Sequence, residues 1–161
     1  MYARILVPVD GSETSRLGLN EAISVAASQS SRLCLFHIVN ELVFDHALSP
    51  GLYADRVIDA LRNRGREVLD QAAELARAYG VPAESVLCES IGGAAGPLIV
   101  EQAEKWTADL IVMGTHGRRG LRRLALGSDA ERVLRAATVP VLLVRDAPRE
   151  ERSAPQGRAA A

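Results

Sequence analysis

The chain has 161 residues, 48% apolar and 24% charged, a balance that fits one compact domain and excludes a disordered chain. Its formal net charge of −1 and 4% aromatic content argue against a nucleic-acid binder, which would need a basic surface or stacking rings. No apolar run approaches the roughly 20 residues that span a bilayer, so no membrane insertion is expected.

Residues 3–9, ARILVPV, have the continuous apolar character of a central strand covered on both faces. The apolar run within it is shorter than the roughly 7–15 residues of a secretory leader's core, so a cytoplasmic location is expected. Asp10, Gly11 and Ser12 break the strand. Ser12 can cap the next helix, whose Leu19, Ala22, Ile23 and Ala26 recur at helical spacing. Residues 32–39, RLCLFHIV, are a second strand candidate, and residues 40–52, with Pro50 and Gly51, are a long connection. The following helix shows an apolar face in Val68, Ala72, Leu75, Ala76 and Tyr79 and stops at Gly80 and Pro82. Arg62, Arg64, Arg66 and Glu67 read as its solvated face.

Residues 85–90 are a weaker third strand. Gly92 and Gly93 separate it from a helix carrying Leu98, Ile99, Ala103 and Trp106, with Pro97 in the first turn and Trp106 as a packing residue. Residues 109–113, DLIVM, are a strong fourth strand. Beyond the segment 114–127, Ser128 and Glu131 have the spacing of a capping box, and Ala130, Val133, Leu134 and Ala137 form one helical face. Residues 141–144 are the last strand, and 146–161 read as a mobile tail. Cys34 and Cys88 lie in strand-like segments and read as buried thiols, with no CxxC pair or metal spacing.

The order βαβαβαβαβ predicts an α/β fold: one domain over residues 1–145, with an open parallel five-stranded sheet and helices on both faces. Ligands of such Rossmann-like sheets sit beyond the carboxyl ends of the strands, near the point where strand order reverses. Asp10 and Gly114 both follow strands directly and so share that edge.

Segment 114–127 holds four glycines (114, 117, 120 and 127), four arginines (118, 119, 122 and 123) and no acidic residue. Gly114 and Gly117 are followed, after nine residues, by Gly127 and Ser128. Glycines let backbone N–H groups approach a phosphate, and Ser128 stands where a helix begins, with free N–H groups and the positive helix end. The alternative is that the glycines shape a loop and the arginines face water. Arg118 is the best placed of the four. Neither the P-loop pattern nor the dinucleotide G-x-G-x-x-G pattern is present, and Lys105 is the chain's one lysine.

With ILVPVDGS at residues 5–12 and MGTHGRRGLRRLALGSDAERVLRAATVPVLLV from Met113, the chain resembles the universal stress proteins of the ATP-binding subclass. The resemblance runs over residues 2–145 and implies the adenine nucleotide alpha hydrolase-like form of the fold. It implies ATP, with Mg²⁺ or Mn²⁺, as ligand. Asp10 would approach the ribose or, through the ion, the phosphates, with Pro8 and Val9 beside it. Val39 would meet the adenine through its backbone, and Met113 and Gly114 would pass the ribose. Gly117, Gly127, Ser128 and the N–H of Asp129 would hold the phosphates. Asp129 departs from the family, where this residue is often apolar. A carboxylate suits a first helical turn but opposes a triphosphate, unless a cation intervenes or the side chain turns away.

No catalytic residue is assigned. His116 belongs to the loop sequence, and no lysine or base suited to fast phosphoryl transfer is visible. The resemblance implies an ATP-binding stress-response regulator with slow hydrolysis at most, a homodimer through residues 141–144, and a regulatory protein partner. A nucleotide-free scaffold of the same fold and a true ATPase or phosphotransfer enzyme are the alternatives.

Overall fold

The computed structural model describes residues 1–40, 52–115 and 126–145, with residues 52–55 as backbone. The tail expected at 146–161 lies outside them. The elements are β1 (Arg4–Pro8), α1 (Glu13–Gln29), β2 (Arg32–Asn40), α2 (Leu52–Ala78), β3 (Ala83–Ser90), α3 (Ala95–Lys105), β4 (Leu110–Gly114), α4 (Ser128–Ala136) and β5 (Val141–Val144). The sheet runs β3-β2-β1-β4-β5, parallel throughout. It is the five-stranded parallel α/β fold expected from the element order.

Strand residues alternate between two apolar layers. Ile5, Val7, Leu33, Leu35, Leu110 and Val112 face one layer with Leu19, Ile23, Leu69 and Ala72 of α1 and α2. Leu6, Cys34, Phe36, Ile111 and Met113 face the other with Ile99, Ala103, Ala130 and Val133 of α3 and α4. Both faces being covered explains why β1 and β4 read as unbroken apolar runs. Strand order reverses between β1 and β4. Among the described residues no helix is long and apolar enough to cross a membrane.

Several local expectations are corrected. Tyr79 is 66% exposed, because α2 ends at Ala78 and Val81 takes the inward position, its N–H donating to Ala76 O at 3.0 Å. Leu134 is 46% exposed, because Ala130 and Val133 fill the inner stripe of the short α4. β3 begins two residues before residue 85, and Cys88 on it is half-buried while Cys34 is fully buried. Arg62 is not simply solvated: its Nε and Nη2 each donate at 2.8 Å to the Glu89 carboxylate, tying α2 to β3. Trp106 packs as expected, with the Arg4 guanidinium 4.5 Å from its ring centre.

Candidate functional site

The β1–α1 turn is built by side chains. Ser12 caps α1 by accepting from Ser15 N–H at 3.2 Å, and Asp10 Oδ1 accepts from Ser12 N–H at 2.8 Å. Ser15 Oγ accepts from Asp10 N–H at 3.1 Å. The Asp10 carboxylate therefore shapes the turn as well as standing at the strand end. The end of β2 grips the same segment: Val9 N–H donates to Phe36 O at 2.8 Å, and buried His37 places Nδ1 2.6 Å from Val9 O.

The end of β4 lies hard against α1. A Cβ on Gly114 would sit 2.6 Å from Thr14 O and 3.0 Å from Ser15 N, both backbone atoms, so no side chain fits there. Thr115 N–H donates to Val144 O at 2.9 Å, and Thr115 O accepts from Gly127 N–H at 2.9 Å. That second bond draws the start of α4 back to the strand end.

The expected capping box at Ser128 is corrected. Gly127 is the N-cap of α4, its carbonyl accepts from Glu131 N–H at 2.9 Å, and among the described residues no side chain caps it. Ser128 is instead the first helical residue. The N–H groups of Ser128, Asp129 and Ala130 thus belong to the first turn, which has no intrahelical acceptors.

These pieces enclose a cleft of about 460 Å³ at the carboxyl edge of the sheet. Its position at the β1/β4 reversal is the one expected of this class of fold. Of the residues singled out in the sequence, Pro8, Val9, Asp10, Met113, Gly114, Gly127, Ser128 and Asp129 line it together. Val39 does not: its side chain is buried beside Gly65 of α2, while its neighbours Ile38 and Asn40 line the cleft. Gly117, Arg118 and His116 lie outside the described residues. Sequence reasoning missed His37, Asn40, Thr115 and the loop at Gly93 and Ala94, all of which line the cleft. Asn40 Nδ2 donates to Gly93 O at 3.1 Å, joining β2 to that loop. The rule that chose Asp10 and Gly114, position just after a strand, reaches this region once β2 is carried to its last residue.

The Asp129 carboxylate turns toward α3. Its Oδ1 accepts from Gly96 N–H at 3.2 Å and lies 3.4 Å from Arg132 Nη1. Among the described residues no three His, Cys, Asp or Glu side chains are grouped to hold a metal ion.

Chemically, the cleft combines an apolar wall of Phe36, Ile38, Ile99 and Met113 with the start of α4 and two carboxylates, Asp10 at the strand end and Asp129, which turns toward α3. That suits a ligand with a flat apolar portion and an anionic end.

Known proteins agree with this fold. Residues 1–145 match the universal stress protein family. The universal stress protein MJ0531 of Methanocaldococcus jannaschii is 35% identical over 150 residues, covering 93% of this chain and 86% of that one. A universal stress protein family structure from Burkholderia pseudomallei has 37% identity and a TM-score of 0.71, covering 89% of this chain and 96% of that one. A universal stress protein of Archaeoglobus fulgidus, solved with dAMP, has 25% identity and a TM-score of 0.61, covering 89% of this chain and 98% of that one. A further universal stress protein structure, in complex with cAMP, has 26% identity and a TM-score of 0.61, covering 89% of this chain and 97% of that one. The chain belongs to the universal stress protein family.

Proposed function

We propose that this chain binds ATP in the cleft between Asp10, Gly114 and Ser128 and acts as a stress-response regulator whose output depends on occupancy. The observation that carries the reading is the start of α4. Its first turn has no side-chain cap among the described residues, lines the cleft, and lies beside a strand end kept bare at Gly114. Backbone N–H groups and the positive helix end then favour phosphate. The dAMP and cAMP complexes of related proteins support an adenine nucleotide.

The donor set fits Mg²⁺ or Mn²⁺ bound with the nucleotide. Asp10 supplies one carboxylate, and such ions complete their shells with phosphate oxygens and water. A bound ion would offset phosphate charge. Pro8, Val9 and Met113 would exclude water beside the ribose, and Gly127 and Ser128 would hold the phosphates. Hydrolysis would be slow, below the roughly 1–1,000 per second of ordinary enzymes.

The same reading includes a homodimer through β5, an edge strand that presents the exposed Leu142, and a regulatory protein partner. Light scattering at micromolar concentration is expected to give a dimer mass, and a monomer mass overturns the dimer.

The test of the nucleotide reading has two steps. Freshly purified protein is denatured and its nucleotide content read by chromatography with mass detection. The protein is then titrated with ATP with and without Mg²⁺. Bound or titratable ATP supports the reading. Failure of both leaves a nucleotide-free scaffold.

A further inference from the structure

Besides α1, two helices begin at the cleft. Gly93, Ala94 and Ala95 bring the start of α3 to its wall, and Gly127, Ser128 and Asp129 bring the start of α4. The helices cross closely at Gly96, where a Cβ would lie 2.6 Å from Arg132 Cβ and 3.1 Å from Asp129 O. Neither has a side-chain cap from its own N-cap residue, Ala94 in one and Gly127 in the other.

Asp129 supplies what α3 lacks. From the first turn of α4 its carboxylate accepts the Gly96 N–H, the second of α3, at 3.2 Å. Pro97, next in line, has no N–H to offer. A cap normally comes from the residue before the helix. Here it comes from 33 positions away, and it brings a full negative charge to the cleft wall. Arg132 Nη1 lies 3.4 Å from the same oxygen and Arg132 lines the cleft as well, but the Asp129 side chain is still 44% exposed, which leaves its charge open to solvent beside the cleft.

We infer that Asp129 is a charge-selecting residue at the anionic end of the cleft. It disfavours a ligand in proportion to the ligand's negative charge, and a divalent cation carried by the ligand relieves that penalty. The inference rests on the adenine-nucleotide reading above and adds a rank order within it. With Asp129 in place, metal-free ATP is held less well, relative to AMP, than the phosphate-binding start of α4 alone would dictate.

The test uses the full chain as wild type, Asp129→Asn and Asp129→Ala. Dissociation constants for AMP, ADP and ATP are measured calorimetrically, first with chelator and then with excess Mg²⁺. Both substitutions are expected to tighten metal-free binding in the order ATP over ADP over AMP. The step is roughly twofold per added phosphate charge, the scale of two unit charges about 8 Å apart in a water-like medium. Excess Mg²⁺ should flatten the gradient. Asn keeps an oxygen that can accept from Gly96, so it separates charge from capping. An equal change for all three nucleotides, or a gradient in Asp129→Ala that is missing in Asp129→Asn, overturns the inference while the nucleotide reading stands. If none of the three proteins binds any nucleotide, the nucleotide reading fails and takes the inference with it.

Discussion

His37 Nδ1 stands 2.6 Å from the carbonyl oxygen of Val9, one residue before Asp10. A carbonyl can accept but not donate, so Nδ1 carries the proton of this bond. With Val9 N–H on Phe36 O, the end of β2 holds both sides of Val9 and thereby aims the Asp10 turn. His37→Leu removes the donor within a buried seam and is expected to cost about 1–3 kcal/mol in urea denaturation. It should also weaken ATP binding. His37→Asn, whose amide can donate at similar reach, should recover part of both. Unchanged stability in His37→Leu would show that the bond does not hold the turn.

Gly114→Ala places a methyl group 2.6 Å from Thr14 O, a backbone atom that cannot swing aside. The expected loss is about 3 kcal/mol, at the upper end of ordinary overpacking. Gly80→Ala is the control. Gly80 has φ 69° and open space around its Cβ direction, so its cost is backbone alone, about 1–2 kcal/mol. Thermal unfolding should rank Gly114→Ala as the more destabilised, and the reverse order would refute the close approach of β4 to α1.

Ser12 and Ser128 both stand at helix starts but do different things. Ser12 caps α1, so Ser12→Ala is expected to cost about 1 kcal/mol. Ser128 caps nothing, so Ser128→Ala should change stability by less than about 0.5 kcal/mol. On the proposed function it should nonetheless weaken ATP binding. Urea melts and nucleotide titrations of the two variants separate these effects, and a large stability loss in Ser128→Ala would contradict the assigned cap.

Burial pushes the Cys34 thiol up to about 11 from an ordinary 9.0, against a weaker opposing pull from Gln102. Folding therefore favours the protonated thiol. The resulting stabilisation is complete below about pH 9 and is lost as pH rises through about 11. Burial also raises Cys88, which is only half-buried. Iodoacetamide at pH 8 should label native Cys88 before Cys34, since thiolate and access both govern the reaction. Peptide mass mapping reads the order, and labelling of Cys34 at its denatured rate would show that the residue is not buried.

Strands and helices were legible in the sequence because β1, β2 and β4 are continuous apolar runs and α1 has an uninterrupted helical stripe. Where tertiary contacts choose, local pattern misled. The serine at 128 is a good cap by preference, yet the bond from Gly127 N–H to Thr115 O makes the glycine the boundary. Tyr79 continues the spacing of α2 past the point where the helix has already turned. In the cleft, Asp10 and Gly114 were found because they follow strands, whereas Asn40 was assigned to a connection. Asp129 was legible as a conflict of charge. The direction in which its carboxylate turns depends on Gly96, which adjacency in sequence cannot reveal.

The pairing of β1 with β4 is short: Ile5 with Leu110 and Leu6 with Ile111. At the amino edge this seam is closed by the Asp109 carboxylate, which accepts from Ala3 and Arg4 N–H at 2.9 and 3.2 Å. At the carboxyl edge it opens into the cleft. β3-β2-β1 and β4-β5 are therefore like two boards fastened strand to strand at one end of a joint and, at the other, joined through the contact of Gly114 with α1. Any occupant touching both Asp10 and Ser128 would serve as a further fastener, so filling the cleft would stiffen the joint between the two parts of the sheet.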